Sequence, residues 1–146
     1  MTEQTRRAPD DPRAISELAA VLDASAVLAL LLGEPGADAV ADAIAGGVAI
    51  SSVTHAEVGT VLARNGWDRD GLALVAGQTL VEPFSLADAL TAAALITATS
   101  GLGLSLGDRA CLALAQRLRA PALTAERAWA KLDVEVEIIV IGNAEP

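Results

Sequence analysis

Tyrosine is absent from this 146-residue chain, and Trp67, Phe84 and Trp129 are its only aromatic side chains. A nucleic-acid binder that stacks bases on exposed rings lacks its equipment here. Cysteine and histidine each occur once, as Cys111 and His55. No intrachain disulfide can form, and nothing points to an oxidising compartment. One subunit cannot assemble a structural zinc site or a histidine-based metal centre from so few ligands. A Ser-His-Asp triad would have to use His55, and Val53-Thr54-His55-Ala56-Glu57 offers no nucleophile elbow.

Positive charge is scarce as well. The 10 Lys and Arg against 19 Asp and Glu leave a formal charge of −9, which excludes a grip on phosphates through bulk charge alone. What the chain does have is apolar residues, 53% of the total. That excludes a disordered or collagen-like polymer and suffices, at this length, for one domain with a proper core.

Two apolar runs call for a membrane check. Arg6, Arg7 and Arg13 followed by Leu18 to Leu32 imitate a secretory signal, but Asp23 interrupts the run and Asp10, Asp11 and Glu17 are foreign to such a leader. The run from Ala89 to Gly107 is uncharged but holds several Thr and Ser and three Gly, which fits a buried helix and a turn better than a membrane span. The chain reads as cytoplasmic, with no membrane partner.

Residues 1–18 are polar, with Pro9 and Pro12, and read as a flexible arm; residues 19–146 read as one folded domain. From Ala19 onward, short apolar runs alternate with longer Ala/Leu periods, the pattern of βα units around a parallel sheet. Strands are expected at 19–22, 48–51, 80–83, 121–124 and 134–141. Helices are expected over 26–32, with Ser25 as cap, over 37–45, from Ser52 or Thr54 to about Asn65, and over 68–76 and 125–132. A further helix runs from the Ser85/Asp88 capping box to Ser100, and another starts at Asp108, with Cys111, Leu114, Ala115 and Leu118 on one face. The fold class is an α/β sandwich whose strand order stays open.

The crevice of an open parallel sheet lies beyond the carboxyl ends of its strands. Asp23 follows the first strand, Glu57 lies early in the helix after the second, Asp108 begins a helix, and Glu126 follows a strand. All four project toward one edge. Carboxylates gathered without matching Lys repel one another unless cations share the site, and Mg²⁺ or Mn²⁺ suit such oxygen ligands. Paired ions of this kind activate a water and stabilise a leaving oxygen in phosphodiester hydrolysis, and they reverse the charge a phosphate meets. Each acid also has a plainer explanation, because Asp and Glu complement the dipole in first helical turns. That explanation is weakest for Asp23, which breaks an apolar run. Asp88 reads as a capping residue, and Asp38, Asp42, Asp68 and Asp70 as solvated.

Four segments carry a family resemblance: Val21-Leu22-Asp23-Ala24-Ser25-Ala26, Ser52-Val53-Thr54-His55-Ala56-Glu57-Val58, Leu104-Ser105-Leu106-Gly107-Asp108-Arg109-Ala110, and Leu123-Thr124-Ala125-Glu126-Arg127-Ala128-Trp129. In order and spacing, from about Val21 to Ile141, they resemble the motifs of PIN-domain ribonucleases, and most closely the VapC toxins of VapBC toxin-antitoxin modules. The resemblance implies a PIN-like α/β/α sandwich with a central parallel sheet over residues 19–146. It also implies a Mg²⁺- or Mn²⁺-dependent endoribonuclease acting on RNA, homodimeric, and held inactive by a VapB-like antitoxin. By the family pattern Asp23, Glu57, Asp108 and Glu126 are the metal-binding and catalytic acids, and Ser25 and Thr124 support them through their hydroxyls; helix capping and turn formation explain those two equally well.

Two features depart from the pattern. The fourth acid is usually Asp, and Glu126 adds a methylene, moving the carboxylate by roughly 1 to 1.5 Å. The arm is longer than usual. The first departure gives an alternative reading, a catalytically weak PIN-domain binding module that mainly forms toxin-antitoxin complexes. Phosphotransfer domains fit less well: receivers need a placed Lys, of which Lys131 is the only one, and haloacid-dehalogenase phosphatases need Asp where Ser25 stands.

Overall fold

The computed structural model describes residues 17–66 and 69–142. The expected arm therefore lies outside the described residues apart from Glu17 and Leu18, as does Asp68. The elements run β1 (Ala20–Leu22), α1 (Ala24–Leu32), α2 (Ala37–Ala45), β2 (Val48–Ser51), α3 (Ser52–Arg64), α4 (Arg69–Gln78), β3 (Leu80–Glu82), α5 (Leu86–Thr99), α6 (Leu106–Leu118), β4 (Ala122–Thr124) and β5 (Ile138–Val140). Short 3₁₀ turns cover Ser100–Leu102 and Arg127–Lys131.

The five strands form one sheet in the order β3-β2-β1-β4-β5, and every described pair is parallel. The three inner strands are buried throughout, which is why they read as unbroken apolar runs. Alternation along each strand then sorts the layers. Ala20, Leu22, Val48 and Ile50 join a core with α1, α2, α3 and α4, while Val21, Ala49 and Ala122 join another with α6 and Trp129. The result is an α/β/α sandwich. The chain winds outward from β1 to β3 and returns to lay β4 on the other side of β1, so the switch of direction falls between β1 and β4. That is where an open α/β sheet leaves its crevice.

Several local expectations change in detail. Asp23, not Ser25, caps α1: its side chain accepts the Ala26 N–H at 2.8 Å from an extended backbone. Ser25 is the first turn's hydrogen-bond donor to Asp23 instead. Helix α6 begins at Leu106, two residues before Asp108, because Ser105 and Asp108 form a second capping box. It is buried on more than the expected face, since the sheet covers one side and α5 the other.

The stretch from 125 to 132 is a 3₁₀ turn, not an α-helix, and β5 pairs over only three residues, as many as β4 offers. The run from Ala89 to Gly107 divides into α5, a 3₁₀ turn and the start of α6. Helix α5 is buried on one side only, with Leu86 76% and Leu90 65% exposed. No single described helix is long and apolar enough to cross a membrane.

Candidate active site

Asp23 leaves β1 at the switch point and is buried, with 2% exposure. Its Oδ1 accepts the Ala26 N–H, and the Ser25 hydroxyl lies 2.8 and 2.9 Å from its two oxygens. The Thr124 hydroxyl, at the end of β4, donates to Oδ2 at 2.5 Å. Each hydroxyl has one proton, and each spends it on Asp23. Their lone pairs then accept from the chain beyond β4, Ser25 from the Ala125 N–H at 2.8 Å and Thr124 from the Glu126 N–H at 3.0 Å. This relay stitches the ends of β1 and β4 together and fixes the orientation of the Asp23 carboxylate.

The remaining acids stand around the same opening. A cleft of about 450 Å³ is lined by Asp23, Ser25, Glu57, Asp108 and Glu126, with Trp129 and the apolar side chains Leu28, Val61 and Leu104. All four sequence-derived acids thus face one cavity, and Thr124 stands behind them through Asp23. Asp108 is held by its cap: the Ser105 N–H reaches its Oδ2 at 3.0 Å, and its own N–H reaches the Ser105 hydroxyl at 3.1 Å. Glu57 is half-buried against the first turn of α6. Glu126 is exposed and makes no side-chain cap to the 3₁₀ turn that follows it.

Among the described residues no Lys or Arg is ion-paired with any of the four. Burial pushes the Asp23 carboxyl up to about 6, against the pull of its hydrogen bonds and with a further push from Asp108. Burial and Asp108 also raise Glu57, while hydrogen bonding with Ser105 works the other way. The other capping box provides the contrast. Ser85 and Asp88 repeat the motif of Ser105 and Asp108, but Asp88 is paired with Arg117, which also reaches Glu82. One box is neutralised for structure, while the other presents an uncompensated acid to the cleft.

This donor set fits a divalent cation. It consists of hard carboxylate oxygens, it lacks compensating cations, and burial, with a lesser push from Asp108, already lifts two of its carboxyl groups. As placed, no three of the described acids are gathered tightly enough to hold one ion. Closing on a cation requires a side-chain rotation that the exposed Glu126 has the torsional freedom to make.

A family model for the PIN domain matches residues 20–135. The chain belongs to the PIN-domain family. Solved structures share the fold of this PIN domain. A chain of VapBC-5, a member of the VapBC family of toxin-antitoxin systems from Mycobacterium tuberculosis, is 27% identical, with a TM-score of 0.61 over 84% of this chain and 98% of that one. A chain of VapBC2 from Rickettsia felis, bound to a DNA fragment from its promoter, gives 0.67 at 16% identity, over 83% and 97%. A toxin-antitoxin complex from Klebsiella pneumoniae gives 0.60 at 22% identity, over 77% and 91%. No match was found among curated proteins.

Sequence reasoning missed part of the PIN-domain cleft. Trp129 is its largest buried wall residue, and only its position three residues after Glu126 could have drawn notice. His55 does not line the cleft. Cys111 is fully buried, and burial raises its thiol well above the ordinary range, so it offers no nucleophile.

Proposed function

We propose that this PIN domain is a metal-dependent endoribonuclease of the VapC toxin type, which hydrolyses phosphodiester bonds in cytoplasmic RNA. The observation that carries the proposal is the convergence of Asp23, Glu57, Asp108 and Glu126 on one cleft with no described cation paired to them. Asp23, Glu57 and Asp108 are the principal ligands of Mg²⁺ or Mn²⁺, and Glu126 is the outer, more mobile fourth. The bound metal would supply an activated water and charge stabilisation for the leaving oxygen. The protein's own share is positional. Thr124 and Ser25 hold Asp23 in one orientation and favour its ionised form, Ser105 anchors Asp108, and Trp129 walls the cleft.

The same reading supplies the partners. A VapB-like antitoxin inhibits the chain, and the working unit is a homodimer; the likeness to VapBC-5 at 27% identity supports the antitoxin. Expression of the full chain in a bacterial host tests the reading. Growth arrest with RNA breakdown is expected, relieved by Asp23→Asn or by co-expression of a VapB-like antitoxin, should one be encoded beside it. Equal growth of cells making wild-type and Asp23→Asn protein would contradict it.

A further inference from the structure

Gly107 occupies the first turn of α6 and is buried there. Its backbone is not in the left-handed region, so no torsional demand calls for glycine. Helix propensity argues for Ala instead. The need for glycine comes from elsewhere. A Cβ built at this position would lie 2.0 Å from Oε1, 2.1 Å from Cδ and 2.2 Å from Oε2 of Glu57. The Glu57 carboxylate fills the volume that a methyl group would take.

The place suits a carboxylate. The N-terminal turn of α6 carries partial positive charge that favours an anion set against it, although Ser105 already accepts the Asp108 and Arg109 N–H groups. Asp108, one residue further along, faces the same cleft. Glu57 and Gly107 lie on α3 and α6, two helices in direct contact. We infer that Gly107 is a positioning residue: its missing side chain is the seat that holds the Glu57 carboxylate beside Asp108, ready to share an ion with it. This rests on the reading of the cleft as a metal centre.

The clash that Ala would create is with the far end of a flexible side chain, not with backbone. Gly107→Ala therefore leaves α6 in place and drives the Glu57 carboxylate back by at least about 1 Å to reach ordinary contact distance. The full-length wild type, Gly107→Ala, Glu57→Ala and the double variant are compared by calorimetric titration with Mn²⁺ and by thermal melting without metal. Crystal structures of the metal-free wild type and Gly107→Ala are compared alongside.

The expected result is about tenfold or greater weakening of Mn²⁺ binding in Gly107→Ala, with a metal-free Tm no lower than that of the wild type. The Glu57 carboxylate is displaced, and Gly107→Ala has no added effect in the Glu57→Ala background, where the seat is vacant. Wild-type affinity in Gly107→Ala would overturn the inference. So would an equal loss in both backgrounds, or a carboxylate that stays in place while α6 shifts. A wild type that takes up no Mn²⁺ would instead overturn the metal-centre reading, and the two crystal structures would still decide whether Gly107 seats Glu57.

Discussion

Thr124 donates its hydroxyl proton to Asp23 across 2.5 Å, joining two residues 101 positions apart at the ends of adjacent strands. Thr124 is fully buried and also accepts the Glu126 N–H. Thr124→Val keeps the shape and removes both bonds. The expected cost is about 1–3 kcal/mol in urea unfolding and roughly ten- to a hundredfold in metal-dependent cleavage, with Thr124→Ser retaining most of both. Unchanged cleavage by Thr124→Val would remove Thr124 from the site.

The titration of Asp23 has a definite sign. Its carboxyl is raised from the ordinary 3.8 to about 6 in the folded protein, so the folded state holds a proton that the unfolded chain has released. The metal-free protein therefore loses stability as pH rises from about 4 to 6 and loses no more from this group above that. Glu57, also raised, adds in the same direction. Asp23→Asn keeps a cap acceptor and removes the charge. It is expected to be more stable than wild type at pH 7 without metal, by on the order of 1–3 kcal/mol, and no different below pH 4. Added Mn²⁺ reverses the ranking, because only the wild type gains from binding. Thermal melts across pH, with and without Mn²⁺, check both halves.

Arg117 serves stability, not the cleft. It donates to the nearly buried Asp88 at 2.8 Å and to Glu82 at 3.0 Å, tying the last turn of α6 to α5 and β3. Arg117→Ala leaves the Asp88 carboxylate buried without its cation. Because the Arg117 side chain is itself 36% exposed, a loss of about 1–3 kcal/mol is expected, below that of a fully buried pair. Cleavage per folded molecule should stay at the wild-type level, whereas a comparable loss from Asp108→Asn alone is expected in cleavage and not in folding.

Glu126 is the exposed acid of the four. Glu126→Gln is expected to cost less activity than Asp23→Asn or Asp108→Asn, since a solvated carboxylate on a longer stem contributes less to a fixed site. Cleavage by Glu126→Asp but not by the natural chain would instead favour the binding-module reading.

Much of this was legible in the sequence, because the inner strands are buried on both faces and bounded by residues with strong local preferences. Asp23 stood out as a charge inside an apolar run; it caps α1 and lines the cleft. The cap of α1 was misassigned because Ser25 and Asp23 have similar local preference; the helix starts one residue earlier than Ser25, at Ala24, which leaves Asp23 in the extended cap position. The start of α6 was readable in principle. Ser105-Leu106-Gly107-Asp108 repeats the signature of Ser85-Leu86-Ala87-Asp88, but Gly101, Gly103 and Gly107 together suggested a longer turn. Strand order and the fit of Glu57 against Gly107 depend on contacts between distant segments, which periodicity does not encode. The length of β5 is likewise set by its neighbour β4 and not by its own apolar run.

The most direct test of the shared acidic cleft is cleavage of RNA by the purified full chain, with Mn²⁺ or Mg²⁺ and with a chelator, beside Asp23→Asn and Asp108→Asn. Cleavage is expected only from the wild type and only with metal, with both variants folded and slower by at least about a hundredfold. Equal cleavage by all three proteins, or wild-type cleavage that survives the chelator, would contradict the account.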